Sequence, residues 1–106
     1  MPKKGKTLLF ITAGEPLGIG PEVTVKALKD PRVQAACDAI IIGEPFSLIE
    51  AGYTPDLGAL IPVESLLARP GKRGPSAWGG EISFKALQTA CKLAAQKHGT
   101  AGGTAP

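Results

Sequence analysis

The chain has 106 residues, 43% of them hydrophobic and 20% charged, which suits one globular domain and is too short for two of ordinary size. Its net charge of +3 comes from Lys3, Lys4 and Lys6 near the start and basic residues scattered beyond, not the concentrated basic face that nucleic-acid binding needs. No apolar run approaches the ~20 residues of a membrane span, and Leu8-Leu9-Phe10-Ile11 falls short of a ~7–15-residue signal core. The expected location is therefore the cytoplasm, with Cys37 and Cys91 as two buried free thiols in a reducing compartment.

In chain order, residues 7–12 read as a buried first strand, because apolar and Thr residues run continuously until turn residues follow. Gly14-Glu15-Pro16-Leu17-Gly18-Ile19-Gly20-Pro21-Glu22 then forms a shaped loop between strand and helix. Pro21 suits a first helical position, and the free N–H groups there would make a mildly positive concavity. The helix carries Glu22, Lys26 and Lys29 on a solvated side, with Glu22 four residues before Lys26 in the favourable ion-pair order. Asp30-Pro31 should end it.

Residues 38–43 form a second strand, apolar on both sides as in a covered parallel sheet. Pro45 opens a second helix over 46–51, and Gly52 is its left-handed stop. Leu60-Ile61-Pro62-Val63 reads as an edge-like third strand, given its proline. A Gly- and Pro-rich loop covers 69–80, a length that more often serves function than simple connection. From Glu81 to Lys97 a helix places Phe84, Leu87, Ala90, Cys91 and Ala94 within roughly 120° at 3.6 residues per turn. That stripe is expected to pack on the sheet, with Cys91 as a core thiol. The alternation of strands and helices gives an α/β fold, an incomplete sheet-and-helix segment in three layers. Residues 99–106 hold no hydrophobic residue larger than alanine, so the apolar strand that should follow is expected to be missing.

By general motif rules the loop is a weak phosphate or cofactor signal. Gly18-Ile19-Gly20 lacks the third glycine of a dinucleotide fingerprint, Pro21 removes an N–H, and a Walker loop's Gly-Lys-Ser/Thr is absent. A single His98 excludes a His-based metal cluster, and its spacing from Cys91 does not describe a dyad. Glu15 and Glu22 are possible acids or bases, but Glu22 equally well complements a helix dipole.

Residues 11–22 nonetheless resemble the opening of the 4-hydroxythreonine-4-phosphate dehydrogenase family, whose pattern is close to I-T-x-G-[DE]-P-x-G-I-G-P-E. The Ile40-Ile41-Ile42-Gly43 strand and Gly80 with Ser83 and Ala90 are similar too. The decarboxylating isocitrate and isopropylmalate dehydrogenases carry a related G-D-G-I-G-P-E, from which Pro16-Leu17 separates this loop. The resemblance implies an isopropylmalate dehydrogenase-like fold and an NAD- and divalent-metal-dependent (Zn, Mg or Co) oxidation and decarboxylation of a phosphorylated hydroxy acid in pyridoxine biosynthesis. It also implies a homodimer and no nucleic-acid or membrane partner. Close relatives act on threonate or erythronate 4-phosphate.

Family members are roughly three times as long, in two α/β domains. Their metal-binding histidines and substrate-holding residues follow the segment covered here. Thr104-Ala105-Pro106 resembles the start of the family's T-A-P-x-x-K. The expectation is thus 1–98 as the N-terminal part of a dehydrogenase domain and 99–106 as a Gly-rich truncated tail, through truncation, an early stop or a frameshift. No catalytic residue or metal ligand is assigned. Gly14, Glu15, Gly18 and Gly20 are expected to line the cofactor cleft, and the chain alone is expected to be inactive. The alternatives are a non-catalytic remnant that binds a partner or dimerises, or a fragment of a threonate or erythronate 4-phosphate or other decarboxylating hydroxy-acid dehydrogenase.

Overall fold

The structure, a computed structural model, describes residues 6–96 and the backbone of 101–104. In order these form β1 (Thr7–Thr12), α1 (Gly20–Leu28), α2 (Pro31–Ala36), β2 (Cys37–Gly43), α3 (Pro45–Glu50), a 3-10 turn (Pro55–Leu57), β3 (Ala59–Pro62), α4 (Ala77–Gln96) and β4 (Ala101–Thr104). The strands make one sheet in the order β3-β2-β1-β4, every neighbouring pair parallel. β1 and β2 pair from Thr7 with Cys37 to Thr12 with Ile42.

Side chains alternate across a strand, so each central strand feeds two cores. On one face Ile11 and Ile41 pack with Val25 and Leu28 of α1 and Leu48 of α3. On the other, Phe10 and Ile42 pack with Trp78, Ile82 and Ala86 of α4. The α/β three-layer arrangement anticipated from the pattern is what forms. β3 lies at an edge, where Pro62 costs no ladder bond inside the sheet.

Four features differ from the sequence expectation. First, a strand does follow α4: residues 101–104 pair with Leu9–Thr12 of β1. Backbone ladder bonds need no apolar side chain, and they satisfy the edge that β1 would otherwise expose. The rest of the expected tail, and His98, lie outside the described residues. Second, α2 intervenes where only a helix stop was expected. Asp30 caps it by accepting from the Arg32 N–H at 2.8 Å, and Pro31 occupies its first turn.

Third, α4 turns a different face inward. Its buried residues are Trp78, Gly79, Ile82 and Ala86, while Phe84 and Leu87 are 62% and 48% exposed. Only Ala90 and Ala94 of the expected stripe join the core, at its margin. The helix starts four residues earlier than expected, bringing Trp78 into register as the bulky anchor. Fourth, Cys91 is consequently exposed and Cys37 half-buried; both are free thiols. Among the described residues no helix is long and apolar enough to cross a membrane.

Candidate active-site wall

The chain runs β1, β2, β3 toward one edge of the sheet, then α4 carries it across to β4 on the other side of β1. The strand order therefore reverses between β1 and β4. In open parallel sheets, ligands bind outside the carboxyl ends of the strands at such a switch point. The connection from β1 to α1, residues 13–19, leaves the sheet there. The fold thus puts the glycine-rich loop at the position where α/β sheets bind ligands.

The loop's shape follows from its residues. Gly14 has φ +76°, a left-handed conformation that a side chain would strain. Pro16 then sits inside a turn closed by the Gly18 N–H donating to the Glu15 carbonyl at 3.0 Å. α1 begins at Gly20, buried, with Pro21 after it. No side chain caps this helix start, so its first-turn amides are open to a polar or anionic group. Glu22 pairs with Arg73 at 3.1 Å, so the carboxylate turns from the expected Lys26 side to the loop beyond β3.

A cleft of about 510 Å³ opens beside this loop. Pro16, Leu17 and Gly18 line one side, Ser47 and Glu50 of α3 another, and residues 69–73 the third. Of the four expected site residues, only Gly18 reaches this cleft; Gly14 and Gly20 shape the backbone around it. Glu15 points elsewhere. Its Oε1 is buried without a hydrogen bond among the described residues, against Gly79 in the first turn of α4. A side chain at Gly79 would collide with that carboxylate, so glycine is what permits the approach. The carboxyl group thus packs against the N-terminal turn of α4, the positive end of that helix dipole.

Arg69 at the cleft and Glu44 beside it are not among the site residues expected from sequence. Glu44 caps α3, accepting from the Phe46 N–H at 2.6 Å and the Ser47 N–H at 3.1 Å. Arg69 lies 3.9 Å from Glu44 and 3.2 Å from Glu50, with its guanidinium 4.8 Å from the Phe46 ring and 5.4 Å from the Trp78 ring. Stacking between two rings while paired to two carboxylates suits the planar guanidinium. The Glu44-Pro45 step was a readable capping signal; Arg69 depends on contacts some twenty residues away in sequence.

Among the described residues no three His, Cys, Asp or Glu side chains come together as metal ligands. These residues do not fit a resident metal ion. They do offer a polar cleft and an uncapped helix start, which fit part of a cofactor or an anionic substrate.

No family model matches the chain. It is 30% identical over 122 aligned positions to a 4-hydroxythreonine-4-phosphate dehydrogenase from Trichlorobacter lovleyi, across 95% of this chain and 36% of that protein. It is 37% identical over 70 residues to the enzyme of the same name from Desulfosudis oleivorans, across 62% of this chain and 21% of that protein. A solved structure assigned to this enzyme from Salmonella typhimurium superposes with a TM-score of 0.72 at 29% identity, covering 95% of this chain and 37% of that one. A crystal structure from Burkholderia phymatum, at 22% identity and a TM-score of 0.70, agrees in fold. The chain spans little more than a third of the length of the relatives it matches most fully.

Proposed function

Since the chain belongs to the 4-hydroxythreonine-4-phosphate dehydrogenase family, we propose that it supplies one wall of an NAD-dependent dehydrogenase cleft. The substrate in this reading is a small 4-phosphorylated hydroxy acid. Its hydroxyl is oxidised to a ketone, and the resulting β-keto acid loses CO2, the step used in pyridoxine biosynthesis. NAD, when bound, takes up the hydride. Gly18 and the uncapped start of α1 receive cofactor or substrate. Gly14 and Gly20 give the backbone its path, and Glu15 fastens the loop to α4.

The observation that carries this reading is the position of the twelve-residue Ile11–Glu22 motif at the switch point between β1 and β4. A divalent metal, Zn, Mg or Co, belongs to the same reading, although among the described residues no three candidate ligands come together. The full-length enzyme is proposed to be a cytoplasmic homodimer. Turnover is proposed to need residues beyond those described.

A structure of a full-length relative with NAD and substrate provides the test. The loop matching Gly14–Gly20 is expected within about 4 Å of cofactor or substrate. A loop remote from both would overturn the assignment.

A further inference from the structure

We propose that Arg73 is a positioning residue for this cleft: it sets the Leu17–Gly18 segment of the glycine-rich loop from 55 residues away in sequence. The inference rests on the reading that the loop is a cleft wall. Its Nη2 donates to the Gly18 carbonyl at 2.8 Å, and its Nη1 lies 3.1 Å from Glu22 Oε1. The guanidinium therefore bridges the last turn of the loop and the first turn of α1 with two different nitrogens. A rigid fork can hold both acceptors in one geometry; a lysine ammonium is a point charge on a flexible stem.

The backbone beside Arg73 makes a third tie. The Gly74 N–H donates to the Leu17 carbonyl at 2.9 Å. Gly74 has φ +116°, so the turn that presents this N–H favours glycine. Leu17 and Gly18 thus give their successive carbonyls to successive residues of the connection between β3 and α4. Within the loop, the Gly18 N–H is fixed to the Glu15 carbonyl. Both peptide groups around Gly18 are held, and Gly18 is the expected site residue that reaches the cleft.

Arg69 plays a separate part. It fastens the same connection to α3 through Ser47, Glu44 and Glu50, and among the described residues it makes no hydrogen bond or ion pair with the glycine loop, so the two arginines hold opposite ends of one strap. Arg73 is 64% exposed at its side chain, and removing it leaves no cavity in either core. Its effect should be local.

The test is residue-resolved amide hydrogen exchange on the 106-residue chain, comparing wild type with R73A and R73K. The Gly18 and Gly74 amides report the loop; the β2 amides of Ile41 and Ile42 report the core. R73A is expected to speed exchange at Gly18 and Gly74 by about tenfold, the scale of one charged hydrogen bond, with β2 unchanged. R73K is expected to recover only part of the lost protection. Wild-type exchange at both glycines in R73A would overturn the proposal, as would equal acceleration in β2, which marks a general loss of stability. Full recovery by R73K would overturn the two-point hold. None of these outcomes depends on NAD binding, so a failure here is distinct from a failure of the dehydrogenase reading.

Discussion

Supplied with NAD, a divalent metal ion and 4-hydroxythreonine 4-phosphate, the 106-residue chain is expected to form no NADH above the enzyme-free rate. Enzymes lower barriers by some 8–23 kcal/mol, most of it through charge stabilisation and orientation in an enclosed site. Here the described residues provide a shaped loop and an open cleft but no group of metal ligands. In the proposed reaction a Lewis acid that polarises the reacting oxygens accounts for several kcal/mol by itself, and among the described residues no three candidate ligands come together to hold one. Absorbance at the NADH band, followed over hours, is the measurement. Clear substrate-dependent turnover would show that the catalytic groups are already present.

Phe10→Ala is expected to cost about 3–5 kcal/mol, the typical penalty for emptying a buried aromatic site. A domain of this size has a total stability of only about 5–15 kcal/mol, so the variant should be largely unfolded or close to it. Phe10 is 1% exposed and lies on β1 between Ile42 and the Trp78 and Ile82 side of α4. The same change at Phe84 should alter stability by no more than about 0.5 kcal/mol, because that ring faces solvent. Urea midpoints for the pair decide which face of α4 carries the core. A large loss at Phe84 with little at Phe10 would restore the stripe expected from periodicity.

That contrast shows how far the fold was legible. Strands β1 and β2 were readable because a continuous Ile, Leu and Phe run has few alternatives to a covered strand. α3 was readable through Pro45 and Gly52, which punctuate it. α4 was recognised as a helix but rotated, because it carries two apolar stripes and periodicity alone cannot rank them. Trp78 settles the matter in the structure, and it lies in the Gly- and Pro-rich 69–80 stretch whose composition reads as loop. β4 was missed for the opposite reason. Its residues carry almost no side-chain signal, and only the open edge of β1 calls for it.

The candidate site divides in the same way. The motif over Ile11–Glu22 is local, so its resemblance was visible at once. Its surroundings are non-local: Glu15 meets Gly79, Leu17 meets Gly74, and Gly18 meets Arg73. None of those pairings can be read from spacing. They set Glu15 against the first turn of α4 and leave Gly18 as the expected site residue that lines the cleft.

The most direct measurement is an NMR titration of the 106-residue chain with NAD at millimolar concentration. The account predicts amide shifts concentrated at Gly18, Ile19 and Gly20 and at residues 71–74, all at the carboxyl end of the sheet. Shifts confined to the opposite end, around Cys37 and Gly58, or an unmoved glycine loop, would contradict it.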